Sequence, residues 1–272
     1  MQYQLTRRTV LLIWSVLVIV PLLVVVSGTF KTTRELFSSP FGPPRQLTVH
    51  NYAEVLGGGQ NMAGAFVNSV VVTVSSVLLT LLLGSLAAYG IARIPGWRGW
   101  LIYGFLVLGM SVPAQANMIP QYVLFDSLGL TNSLIGLALI NIVITLPITV
   151  FILTGFMKTL PREIYEASSV DGAGPWRTYY SIVMPLSLPS IAAASIFLFV
   201  ISWNELLYPL LFIHDPSKRT IPLALLNFQG EFLTDYPLLF TGVIIASAPI
   251  VLAYLFLQRY FIAGITAGSV KG

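Results

Sequence analysis

The chain has no cysteine and only two histidines, and Asp, Glu, Lys and Arg together make up 9% of its 272 residues. Each shortage excludes something. Without cysteine there is no disulfide, no thiolate metal site and no Cys nucleophile. His50 and His214 form no His-Glu-x-x-His pair, so the helical zinc-hydrolase pattern is missing. A soluble domain carries about 25% charged residues, and a chain with 9% has too few polar side chains to cover a water-soluble surface. The four lysines follow Phe30, Met157, Ser217 and Val270, so there is no Gly-Lys pair to build a phosphate-cradling P-loop. Gly57-Gly58-Gly59 therefore reads as a flexible outer loop, and the chain cannot be its own ATPase.

What is abundant is apolar. Hydrophobic residues make up 56% of the chain before its 22 glycines are counted, and mean hydropathy is +0.84. Residues 9–30, 55–92, 99–125, 127–157, 178–204 and 236–258 are free of Asp, Glu, Lys and Arg. A spanning helix needs about 20 mostly apolar residues. Each gap is long enough, and spans are placed near 10–30, 66–91, 100–122, 134–157, 190–213 and 238–261. Such continuous runs do not alternate with period two, which excludes an outer-membrane barrel. The first apolar stretch exceeds the ~7–15 residues of a signal h-region, so it reads as an uncleaved anchor. The expected fold class is an all-α, polytopic bundle of six transmembrane helices in one domain, 1–272.

Fourteen Lys and Arg against ten Asp and Glu give a net charge of +4. The basic residues lie at the ends of the apolar runs, so they read as topogenic, facing headgroups of the lipid bilayer, with no nucleic acid as partner. With the N-terminus inside, nine of them are cytoplasmic and five outside. This bias sets both termini on the cytoplasmic side. Long outer segments then cover 31–65 and 214–237, and the one long inner loop is 158–189.

That inner loop predicts two short helices. Pro161 fits a first turn, and Glu163 sits where the helix dipole favours negative charge. Ile164, Ala167, Ser168 and Asp171 share a face by their spacing. Gly172 ends the first helix, and Gly174-Pro175 starts a second that runs to Met184, before Pro185. A bent pair with small residues at its elbow suits docking in another protein's cleft, or equally lying on headgroups as an amphipathic hairpin.

Glu166-Ala167-Ser168-Ser-Val-Asp171-Gly172-Ala173, followed by Ile182-Val-Met184-Pro185, resembles the EAA loop of permease subunits in binding-protein-dependent ABC importers. Ser168 and Met184 depart from that family's alanine and leucine. Ala87-Ala88-Tyr89-Gly90-Ile91-Ala92-Arg93, Ile119-Pro120-Gln-Tyr, Gly129-Leu-Thr-Asn132-Ser, Trp203-Asn204-Glu205-Leu-Leu-Tyr208-Pro and the ending from Gln258 to Gly272 are similar to the carbohydrate-importer permeases of the MalG type.

The resemblance implies the type I importer permease fold in the plasma (inner) membrane of a prokaryote. It implies a heterodimer with a second, homologous permease subunit and the pathway between them. An extracytoplasmic sugar-binding protein would deliver the solute, and a cytoplasmic ABC ATPase dimer, which binds the ATP and Mg, would drive alternating access. This chain would hold no cofactor or metal and no catalytic residue. The loop 159–189 becomes the coupling segment, with Glu163, Glu166, Ala167, Ser168, Asp171, Gly172, Ala173 and Pro185 as its candidate residues.

Glu205 is the one carboxylate placed well inside a span, where a charge costs about 2.5–3.5 kcal/mol and needs a partner or a wet cavity. With Trp203, Asn204 and Tyr208 it offers stacking and hydrogen bonds to a sugar, or else joins helices or forms a gate. The amides Gln115, Asn117 and Asn141 are further pathway candidates, although such groups often only connect neighbouring helices. The alternative to an ATP-driven importer is a secondary transporter running on an ion gradient, for which one intramembrane acid is a poor relay.

Overall fold

The computed structural model describes residues 2–57, 61–228 and 234–269. Gly58 and Gly59 of the glycine run and the last three residues of the C-terminal motif lie outside them, as do the side chains from Leu257 onward. In chain order the helices are α1 (Gln2–Gly28), α2 (Thr33–Ser38), α3 (His50–Gly57), α4 (Met62–Arg93), α5 (Gly96–Leu108), α6 (Met118–Ser127), α7 (Leu134–Met157) and α8 (Arg162–Val170). They continue with α9 (Pro175–Thr178), α10 (Met184–Trp203), α11 (Leu207–Phe212), α12 (Ile221–Leu225) and α13 (Tyr236–Ser269). No β-strand occurs among the described residues. Among the described residues five helices are long and apolar enough to cross a membrane, and a bent pair makes up to six.

Four of the six spans fall where the charge-free gaps put them, in α1, α4, α7 and α13. The third is broken. Gly96–Ser111 and Ala114–Ser127 meet at 84°. Pro113 has no N–H to donate and forces the residue before it out of helical geometry. Val112 is accordingly extended, at φ −96° and ψ 118°.

The fifth span corrects the sequence reading. It was expected at 190–213, after a separate short helix ending near Met184. Instead one apolar helix runs from Pro175 to Trp203. A π-helical turn at Tyr179–Val183 joins α9 to α10, with the Met184 N–H reaching the Tyr179 carbonyl. The wider turn shifts the hydrogen-bond ladder just before Pro185, so the proline enters the helix without ending it. The charge-free gap 178–204 matches this helix, and Pro185 does not end it.

The chain was read as one domain, and it divides into two compact units: residues 1–66 with 219–249, and residues 67–218 with 250–272. In the first, residues 29–51 are folded around a buried lysine. The Lys31 ammonium donates to the carbonyls of Ser39, Pro40 and Gly42 at 2.9, 3.2 and 2.7 Å. The Asn51 amide bridges the Thr29 and Lys31 carbonyls. A charge buried this way is tolerated because each N–H finds an oxygen.

In the second unit α4 packs through small and hydroxyl side chains. Thr73, Ser76, Thr80, Ser85 and Ala88 are buried at helical spacing. The Thr80 and Thr145 hydroxyls of α4 and α7 meet at 3.3 Å, and Ser76 Oγ reaches the Ala138 carbonyl. Lipid offers no hydrophobic drive between helices, so close approach and interhelical hydrogen bonds supply the attraction.

Candidate functional site: the helical elbow and the paired helix breaks

The elbow is built by backbone hydrogen bonds. At the end of α8 the Gly172 N–H donates to the Ser169 carbonyl at 3.1 Å, and the Ala173 N–H to the Ser168 carbonyl at 2.9 Å. This double closure is a Schellman motif, which requires a left-handed residue at the turn. Gly172 supplies it, at φ +70°. Gly174 and Pro175 then start the next helix, with proline in the first turn as the sequence indicated.

Two hydroxyls lock the hairpin. Ser168 is buried, and Thr178 Oγ1 donates to its Oγ at 3.2 Å. The elbow is also tied to α4. Tyr89 Oη donates to the Pro175 carbonyl at 2.8 Å, and Ser85 Oγ lies 2.7 Å from Tyr179 Oη. Arg93 Nη1 donates to Tyr89 Oη, and the guanidinium stacks over the Tyr89 ring. Ala88, Tyr89, Leu153, Met157, Tyr179, Val183 and Ala194 form one buried cluster beneath it. The elbow is therefore a rigid extension of three apolar helices.

The eight coupling candidates separate. Glu163, Ala167, Asp171 and Gly172 are exposed, with Ala173 half-buried beside them. Ser168 faces inward as the hairpin's lock. Glu166 turns to another side of α8, lining a cleft with Arg162. Its Oε1 lies 3.2 Å from Arg162 Nε. Pro185 lies ten residues along the spanning helix from Pro175, about 15 Å at helical rise, and so is not brought to the elbow. Sequence reasoning missed Val170, which is 87% exposed at the tip. Its apolar side chain, one residue before the turn, was the available signal. It also missed the tyrosine brace, because Tyr89 was read only as part of a motif.

Tyr165, on the cleft face of α8, has its hydroxyl pKa pushed up, first by burial and then by the neighbouring Tyr89 phenol, against the lowering influence of Arg93. At neutral pH it therefore acts as a neutral hydrogen-bonding group.

All the pathway candidates but Asn141 lie at two helix breaks. Span five ends at Trp203, and α11 begins at Leu207. Glu205 sits in the gap, and its Oε1 accepts from the backbone N–H of Leu207 at 2.9 Å and of Tyr208 at 3.2 Å. Its carboxylate thus caps α11, satisfying donors that the break frees. Tyr208 is buried, and its Oη bonds Gln121 Oε1 at 2.6 Å and the Ala114 carbonyl at 3.3 Å, beside the break in the third span. The two breaks are therefore tied together.

Around them Gln115, Asn117 and Asn204 are exposed. Trp203 is buried and stacks on Phe199, with ring centroids 5.5 Å apart. Asn141 is also buried, within α7. Both lie inside the packed part of the fold. Gln115, Asn117 and Asn204 are the amides that the breaks leave exposed, with Glu205 half-buried in one of the breaks.

A second knot ties the loop before α7 to the segment after α11. Asn132, in the left-handed region at φ +50°, accepts the His214 and Asp215 N–H groups on Oδ1, and its carbonyl accepts from Lys218. Hydrogen bonds from the Ser217 side chain and backbone, with Lys218 nearby, hold the Asp215 carboxyl below its usual pKa.

Residues 80–267 match the family model described as "Binding-protein-dependent transport system inner membrane component". The chain is 35% identical to the diacetylchitobiose uptake system permease protein NgcG of Streptomyces coelicolor, covering 97% of this chain and 88% of the relative. It is 36% identical to the multiple sugar-binding transport system permease protein MsmG of Streptococcus mutans, over 97% and 96%. With the melibiose/raffinose/stachyose import permease protein MelC of Bacillus subtilis it shares 32% identity, over 93% and 91%. Its fold matches a chain of a bacterial ABC transporter that imports the acidic polysaccharide alginate, with a TM-score of 0.83, 17% identity and 95% and 96% coverage.

Proposed function

The chain belongs to the binding-protein-dependent transport system inner membrane components, and from that premise we propose that it is one permease subunit of an ATP-driven importer for a carbohydrate. Membership of this family removes the ion-gradient alternative. A second, homologous permease completes the pathway, an extracytoplasmic sugar-binding protein delivers the solute, and a cytoplasmic ABC ATPase dimer binds the ATP and Mg. Both termini are cytoplasmic, in the inner membrane.

The observation that carries the proposal is the rigidity of the elbow. Closure of the ATPase dimer has to be transmitted as a rigid-body movement. The Schellman turn fixes the tip, the Ser168–Thr178 contact locks the hairpin, and α9 continues without interruption into a spanning helix. A push on Glu163, Ala167, Val170, Asp171 or Gly172 reaches α10 directly and α4 through Tyr89. At the other end of that helix lies Glu205, in the break that bears the exposed Asn204 and that Tyr208 ties to the break bearing Gln115 and Asn117. Movement of the elbow therefore changes the geometry of the polar group that faces the pathway. Those amides and the Glu205 carboxylate offer the donors and acceptors that a sugar hydroxyl requires.

Affinity purification of the tagged chain from its native membrane tests this. An ABC ATPase is expected to copurify, and sugar-loaded binding protein is expected to raise its ATP hydrolysis in proteoliposomes. A chain purified without an ATPase, or hydrolysis indifferent to the binding protein, would refute the proposal.

A further inference from the structure

The inner ends of α4, α7 and α8 enclose a cleft of about 570 Å³. Arg93 ends α4, Lys158 follows α7, and Arg162 opens α8, so three separate elements each deliver a cation to it. Glu166 is the one carboxylate among the described lining residues, and Arg162 already holds it. The carbonyl ends of α4 and α7 each add about half a negative charge and the N-terminus of α8 about half a positive one, which leaves the cleft about one to two units positive. Lys158 Nζ lies 4.8 Å from the centre of the Tyr103 ring, a contact that positions the ammonium without neutralising it. The wall beneath is apolar, made by Met157, Leu160 and Ala92.

Position decides what such a cleft meets. Arg93 and Lys158 are the first charges beyond two apolar spans, so the cleft opens at headgroup depth, where basic pockets between helix ends recognise anionic lipids. The face of α8 that lines it carries Arg162, Tyr165, Glu166 and Ser169. Glu163, Ala167 and Val170 lie on a different face and remain exposed. A partner gripping the tip therefore leaves the cleft free.

We propose that this cleft binds the phosphate group of an anionic phospholipid headgroup, wedging the coupling hairpin against the inner ends of spans two and four. The lipid would act as a prop, adding a third support to the elbow beside its braces to α4 and α10. The binding site stands on the cleft alone; its consequence for coupling rests on the importer reading above.

Native mass spectrometry of the detergent-purified full chain, incubated with dioleoyl phosphatidylglycerol or dioleoyl phosphatidylcholine, provides the test. Preferential retention of phosphatidylglycerol is expected, falling by about tenfold or more in Lys158→Gln/Arg162→Gln. Lys158→Arg, which keeps the charge, and Arg98→Gln, which removes an exposed cation that does not line the cleft, are expected to retain it as the wild type does. Equal retention of the two lipids, or of phosphatidylglycerol by the wild type and the double variant, would overturn the site. Displacement of the lipid by millimolar inorganic phosphate would identify a soluble anion as the occupant and overturn the lipid assignment. ATPase copurification is measured on the same material, so loss of lipid preference with the ATPase retained defeats only the cleft. Loss of the ATPase with lipid preference retained defeats only the importer reading.

Discussion

At Gly172 one dihedral angle fixes the turn of the elbow. A Cβ built at this position meets no atom within 4 Å, so space does not select glycine there. The selection comes from φ +70°, where an L-residue with a Cβ pays about 1–2 kcal/mol. Gly172→Asn, which tolerates the left-handed region, is expected to keep most sugar uptake, while Gly172→Val loses it. Gly172→Asp tolerates the turn better than valine but adds a charge at the docking tip. It is expected to assemble poorly or to hydrolyse ATP without uptake. Equal uptake by all three in proteoliposomes would show that the turn does not transmit force. Glu205 permits a similar separation. If its carboxylate serves chiefly as the cap of α11, Glu205→Gln keeps an acceptor and stays near wild type in thermal melting, whereas Glu205→Ala loses about 1 kcal/mol. Loss of uptake in Glu205→Gln with an unchanged melting temperature would instead assign its charge to the pathway.

Among the elements, the contact between α4 and α7 is the tightest place to probe. A Cβ added to Gly84 would fall 2.5 Å from Thr149 Cγ2. Gly84→Leu is expected to separate the two helices and abolish assembly, while Gly84→Ala combined with Thr149→Ala recovers much of it. Size-exclusion profiles of the purified complex measure both, and an assembled Gly84→Leu complex would show that the helices can part at no loss. The same elements show what a sequence discloses. Charge-free gaps located most spans because charge is costly in lipid at every position, whatever the neighbours. Pro113 stands inside the third charge-free run, and a proline there can break a helix, but the 84° angle is not legible in the residues, since it depends on the packing that receives the bent half. The π turn at Tyr179–Val183 was hidden because nothing in the residues themselves distinguishes a proline that ends a helix from one preceded by a shifted ladder. The elbow was legible from Gly172 and Gly174-Pro175, whose backbone limits are local. The brace from Tyr89 and the basic cleft were not, because they arise only where three helix ends converge.

For the whole molecule, the claim is that force enters at the cytoplasmic elbow and ends at a polar surface between helix breaks. Orientation is the first condition. The absence of cysteine makes labelling unambiguous, since each introduced thiol is the only one. In intact cells, a membrane-impermeant maleimide is expected to label His214→Cys, an exposed position, and to leave Val170→Cys unlabelled until the membrane is opened. The reverse pattern would invert the topology and put the elbow out of an ATPase's reach. The most direct measurement then asks what touches the tip. A photoreactive amino acid in place of Val170, which is 87% exposed, is activated in native membranes and its crosslinked partner identified by mass spectrometry. The expected product joins this chain to a cytoplasmic ABC ATPase and disappears when that ATPase is deleted. Crosslinks to lipid alone, with the ATPase present and abundant, would contradict the account.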